Sequence, residues 1–140
     1  NPGKPGSIYK VKKVVKALKD HPTINSSLEG ENIILKKYYN IGVAVDTDEG
    51  LIVPVVKDAD NKDLYGIAKE IGELAKKARQ RKLDLKDMRE GSFTITNLGS
   101  VGVKYFTPII NYPEAAILGT GRIEERAVVV KGKIVVRDQY

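Results

Sequence analysis

The sequence predicts an α+β domain, a mixed α/β sandwich in which helices pack on a largely antiparallel sheet. Three observations carry that expectation. Two segments repeat their apolar residues with the 3.6-residue period of a helix. Several shorter segments alternate with period two and are separated by Gly, Pro and Asp. The chain has 140 residues, 41% of them apolar, which suits one core of ordinary size.

Residues 1–7, Asn-Pro-Gly-Lys-Pro-Gly-Ser, hold two Pro and two Gly and read as a flexible tail or linker, so the folded domain is placed at 8–140. A helix is expected from Ile8 to Asp20, with Ser7 as its cap. Ile8, Val11, Val14, Val15 and Leu18 share an arc of about 120°, with Lys10, Lys13 and Lys16 opposite. His21-Pro22 ends it, because the residue before Pro avoids the α region. Asn32–Leu35 reads as a short strand. Asn40–Asp46 alternates through Ile41, Val43 and Val45, and Leu51–Val56 is a second strand interrupted by Pro54. The cluster Thr47-Asp48-Glu49-Gly50 joins these two as a hairpin. The clearest helix spans 61–82, with Leu64, Ile67, Ala68, Ile71, Leu74, Ala75 and Ala78 on one face. Asp60 or Asn61 is its expected cap, and Asp63 falls in its first turn. A helical turn at 84–89 precedes strands at Ser92–Thr96 and about 115–119. A last hairpin, 127–130 with 133–136, turns at Gly132.

Composition excludes several functions. The chain has no Cys and one His. A disulfide scaffold, a thiolate zinc site, an iron–sulfur cluster and a multi-histidine metal site are therefore out of reach. No apolar run approaches the ~18–20 residues of a membrane span, and no signal peptide is visible. A cytoplasmic protein without a membrane partner is the expectation. The net charge of +6 is uneven. Eight Lys stand against Asp20, Glu29 and Glu31 in the first forty residues. The Lys-rich helix lacks an aromatic platform and a DNA-reading motif, so a solvated face is expected rather than a nucleic-acid site.

Few residues offer chemistry by pattern alone. His21 is the sole imidazole, yet it sits at a helix end with no nucleophile at useful spacing. Gly99-Ser-Val-Gly102 lacks the Lys-Ser/Thr of a phosphate loop and reads as a backbone turn. Asp46, Asp48, Glu49, Asp58, Asp60 and Asp63 lack calcium-loop spacing and read as turn and cap residues.

Six segments in order go further. They are Val14–Asn25, Tyr38–Thr47, Gly50–Val56, Ile67–Leu83, Gly91–Ser100 and Phe106–Glu114 running into Ala116–Gly119. Together the sequence resembles the catalytic domain of the dihydrolipoyl acyltransferases of 2-oxoacid dehydrogenase complexes. That resemblance implies a chloramphenicol-acetyltransferase-like fold. It also implies a trimer with active sites at subunit interfaces, and substrates in coenzyme A and the lipoyl-lysine arm of a carrier domain. No tightly bound cofactor is implied. The family's oxyanion hydroxyl falls on Thr96 in Thr94-Ile-Thr-Asn-Leu, where Ser is common, and Asn97, Gly99 and Ser100 become candidate substrate-binding residues.

The family's catalytic His lies in an Asp-His-Arg-x-x-Asp-Gly motif that these residues do not contain. On the resemblance, the chain is a middle section, incomplete at both ends, without a placed base. Lys10, Lys12 and Lys13 on a usually apolar helix, Lys104 after Gly102 and Ala115 in place of Val fit an excised, engineered core. The expected behaviour is a monomer or small oligomer without turnover. A folded scaffold with no catalytic function is the alternative reading.

Overall fold

The structure is a computed structural model. It describes residues 5–139, with side chains for all of these except residues 5–7 and Ser100. The first four residues of the expected tail lie outside the described residues. Helix α1 runs Pro5–Asp20, so Pro5 to Ser7 are helical rather than tail, and Ser7 is not the cap. Pro fits a first helical turn, where its missing N–H would have no partner. Val11, Val15 and Leu18 are buried as the apolar arc predicts, but Lys10 is half-buried instead of facing solvent.

Strands β1 (Ser26–Glu29) and β2 (Asn32–Leu35) form an antiparallel hairpin. The first of these was not expected, because Ser-Ser-Leu-Glu does not alternate. The predicted strand at 40–46 is two strands, β3 (Ile41–Val43) and β4 (Val45–Thr47). The predicted strand at 51–56 is likewise β5 (Gly50–Ile52) and β6 (Val55–Val56). Pro54 explains the second break, since its nitrogen cannot donate to a ladder. Its carbonyl instead accepts from Val43 N at 2.9 Å. The hairpin of β4 and β5 pairs Thr47 with Gly50, which shortens its loop to Asp48-Glu49.

Helix α2 runs Leu64–Arg79. Its cap is Asp63, whose Oδ1 accepts from Gly66 N at 2.7 Å, and not Asp60 or Asn61. Leu64, the first residue of the predicted face, is 39% exposed, whereas Ile67, Ile71, Leu74, Ala75 and Ala78 are buried. Next in the chain come β7 (Phe93–Asn97), β8 (Ile117–Thr120), β9 (Glu124–Val130) and β10 (Lys133–Gln139). The last two make a long hairpin. Its turn places Lys131 at φ 50 and Gly132 at φ 75, the two left-handed residues of a tight primed turn.

The central sheet has the order β6-β3-β7-β8. The β3–β6 pair is antiparallel, but β3–β7 and β7–β8 are parallel. Antiparallel pairing therefore dominates the hairpins, and parallel pairing dominates the centre. Phe-Thr-Ile-Thr in β7 alternates across the two faces. Phe93 and Ile95 join Ile41, Val43 and Val56 in one core with Val11, Val15 and Leu18 of α1 and Ile67, Ile71 and Leu74 of α2. Thr94 and Thr96 point to the opposite face, yet both are buried. Both faces of β7 are therefore covered. Among the described residues, no helix is long and apolar enough to cross a membrane.

Candidate functional site

The carboxyl ends of parallel strands, where the chain leaves the ladder, are the usual place for a crevice in a mixed sheet. Here those ends belong to β7 and β8, which pair Thr96 with Gly119 and Asn97 with Thr120. Thr96 is 5% exposed, and its hydroxyl makes no side-chain hydrogen bond among the described residues. The residue is thus nearly covered, while its hydroxyl is left unengaged on the face away from the helices. Paired residues of parallel strands present their side chains to the same face. A Cβ on Gly119 would lie 2.9 Å from Phe106 Cζ and 3.1 Å from Pro108 Cγ. The connection between β7 and β8 therefore lies across the face that Thr96 occupies.

The loop after β7 is held from within. Asn97 Oδ1 accepts from Gly99 N at 3.1 Å, and Leu98 N donates to Thr120 O at 3.1 Å. Gly99–Val101 forms a 3₁₀ turn, closed by Gly102 N donating to Gly99 O at 3.2 Å. Val101 N and Val103 N both donate to Leu98 O. Most amides of the glycine segment are thus spent on the turn itself, as the sequence reading expected. Two glycines let this loop meet the chain that leaves β8. A Cβ on Gly99 would lie 2.5 Å from Gly121 O, and one on Gly121 would lie 2.3 Å from Lys104 O.

A hollow of about 420 Å³ opens here, lined by Lys104, Phe106, Leu118, Gly119, Thr120 and Gly121 among others. On the helix side of the same strand ends, Lys10 Nζ donates to Thr120 Oγ1 at 3.1 Å. Burial lowers the Lys10 pKa below its usual value, because removing an ammonium from water disfavours its charge. At the rim, the exposed Tyr105 phenol is held below its usual range by a hydrogen bond from Arg126.

Of the sequence candidates, Thr96, Asn97 and Gly99 come together at this one end of β7. The backbone of Ser100 lies in the adjoining turn, and its side chain is outside the described residues. His21 is elsewhere. It follows α1, is exposed, and makes no side-chain capping bond to the turn that starts at Pro22.

Sequence reasoning missed Glu114. This carboxylate is 7% exposed, and Thr94 Oγ1 donates to its Oε2 at 2.6 Å. Burial raises its pKa, against the opposing pull of the Thr94 hydrogen bond, the Lys36 charge and the Asn111 side chain. The signal was available: an acid standing directly before the apolar run Ala-Ala-Ile-Leu.

The family model of the 2-oxoacid dehydrogenases acyltransferase (catalytic domain) matches residues 7–140. The chain belongs to this family. A curated relative is the dihydrolipoyllysine-residue acetyltransferase component of the pyruvate dehydrogenase complex of Bacillus subtilis. It is 52% identical over 129 residues, 91% of this chain and 29% of the relative. Among solved structures, the probable dihydrolipoamide acetyltransferase of Listeria monocytogenes superposes with a TM-score of 0.90 at 44% identity. That match covers 94% of this chain and 56% of the Listeria chain. The Azotobacter vinelandii dihydrolipoamide acetyltransferase gives 0.89 at 44% identity, over 94% and 55% of the two chains. That structure comes from work on the role of a serine, a histidine and an asparagine in the enzyme's catalytic mechanism. The present acyltransferase chain thus spans less than a third of the curated relative and over half of the solved chains. Its neighbours are acyltransferase catalytic cores, which agrees with the fold class expected from the sequence.

Proposed function

We propose that this chain supplies the oxyanion side of an acyl transfer between dihydrolipoyl-lysine and coenzyme A. The observation that carries the reading is the unengaged hydroxyl of Thr96, a residue 5% exposed at the carboxyl end of β7, in a chain of the acyltransferase family.

In that reaction the coenzyme A thiol loses its proton to a base. The thiolate adds to the thioester carbonyl of the acylated lipoyl arm, a C–S bond forms, and the carbonyl electrons move onto oxygen. The Thr96 O–H donates to that oxyanion. Collapse restores the carbonyl and breaks the bond to the lipoyl sulfur, which takes the proton back. A preorganised donor of this kind is worth about 10²–10³-fold in kcat. Asn97, Gly99 and Ser100, around the mouth of the same strand end, border the substrates.

The base belongs, by family resemblance, to the Asp-His-Arg-x-x-Asp-Gly motif, a pattern these residues do not hold. His21, the sole imidazole, is exposed at the end of α1. General-base catalysis contributes about 10²–10⁴-fold. The 140 residues alone are therefore expected to give no appreciable transfer; weak coenzyme A binding, and a monomer or small oligomer by light scattering, are separate expectations of the same reading. The test supplies acetyl-coenzyme A and dihydrolipoamide and follows thioester formation. In a full-length acyltransferase subunit carrying this segment, Thr96→Ala should lower kcat about a hundredfold. Unchanged kcat would refute the oxyanion role. Turnover by the 140 residues alone that falls on Thr96→Ala would reveal a base among them.

A further inference from the structure

Glu114 is a buried acid for which the transfer above has no use. It caps no helix, and Lys36, whose charge acts on it, is not in ion-pair contact. Its surroundings are nevertheless built around its carboxyl group. Thr94 donates to one oxygen at 2.6 Å. The other oxygen occupies the space over Gly91, where a Cβ would approach it to 2.6 Å. Any larger residue than Gly at 91 would push the carboxyl away.

Thr94 and Thr96 lie two apart on one strand, on the same face. The connection that ends at Glu114 is the one whose Phe106 and Pro108 lie over Gly119, the partner of Thr96. This connection is therefore fixed to the site face at two points: near its middle by the packing of Phe106 and Pro108 on Gly119, and near its end by the carboxyl of Glu114 on Thr94. We propose that Glu114 is a positioning residue of the acyltransferase site, holding the connection between β7 and β8 against the Thr96 face through the Thr94 hydroxyl. The inference rests on the oxyanion reading of Thr96 and adds to it the residue that sets the wall over that hydroxyl.

The experiment is a double-mutant cycle in the full-length acyltransferase subunit that carries this segment, read as kcat and as KM for coenzyme A. Glu114→Ala and Thr94→Val should each lower kcat by about fivefold to twentyfold, with KM changed less than about twofold. Glu114→Gln, which keeps the acceptor and the volume, should recover most of that loss. In a Thr96→Ala background, Glu114→Ala should cost almost nothing further, because a residue acting through Thr96 has nothing left to position. An equal loss in both backgrounds would overturn the proposal in favour of a merely structural role. So would unaffected kcat in Glu114→Ala and Thr94→Val while Thr96→Ala is impaired, and the oxyanion reading would then survive alone. Unchanged kcat in Thr96→Ala itself would overturn both. If Glu114→Ala does not fold, the near-isosteric Thr94→Val carries the same cycle.

Discussion

Replacing Gly121 with Ala tests whether the contact between the two loops at the strand ends is as close as described. The added Cβ would sit 2.3 Å from Lys104 O and 3.3 Å from Val103 O. Ordinary contact begins near 3.4 Å, so the 103–104 backbone must retreat by roughly 1 Å. That segment is tied to the chain it would leave, because Arg122 N donates to Val103 O at 2.9 Å. Overpacking of this kind costs about 1–3 kcal/mol, and loss of a backbone hydrogen bond adds about 1 kcal/mol. The sum, about 3 kcal/mol, should lower Tm by about 10 °C in a domain of this size. Gly72→Ala is the matched control. Gly72 is an exposed residue of α2 with nothing within 4 Å of its added Cβ. It should gain about 0.5–1 kcal/mol from helix propensity. Thermal unfolding followed by far-ultraviolet circular dichroism measures both. A Gly121→Ala protein that melts with the parent would show that the loops do not meet this closely.

Three further outcomes are expected. Burial raises the Glu114 pKa, so its carboxyl favours folding most at low pH, below its unfolded pKa, and that benefit is lost as pH rises through the folded value. Glu114→Gln, neutral throughout, should therefore gain stability relative to the parent as pH rises above the ordinary carboxylate value of 4.5 in urea titrations, and a difference independent of pH would contradict the buried charge. Asp63→Ala removes the acceptor of Gly66 N and should cost about 1 kcal/mol by chemical denaturation, whereas Asp60→Ala should cost less. Ile71→Asp places an unpaired charge at a position 2% exposed and should cost several kcal/mol, so an unchanged Tm would sink the assigned packing of α2.

The helices were legible because their apolar faces repeat strongly, and Ile67, Ile71, Leu74, Ala75 and Ala78 all went where the period put them. Their ends were less so. Two acids and an amide within four positions, Asp60, Asp63 and Asn61, have the right chemistry to cap, and only the backbone entering α2 chooses Asp63. Strand limits failed at Ala44 and Pro54, where one apolar run serves two different ladders. Local alternation carries no record of that division. Thr96 was reachable only through a motif, since a Thr in a strand otherwise looks like any other. Glu114 and Gly121 matter through contacts with Thr94 and Lys104. Those contacts are made across the sheet and between loops, and no window of neighbouring residues contains them.

The parallel pairing of β3 with β7 also bears on the order in which the chain can fold. The hairpins β1–β2, β4–β5 and β9–β10 join neighbours in sequence and can close within microseconds. The ladder at the centre cannot. Asn40 N meets Ser92 Oγ across a separation of 52 residues, and Ile41 meets Phe93 beside it. Loop-closure entropy must be met before these contacts return anything, and α2 lies within the loop that has to close. The strand that bears Thr96 is thus seated late, after the local hairpins and the second helix are available to receive it. Rapid mixing should find hairpin and helix signals ahead of the burial of Phe93, with the central ladder setting the slow phase.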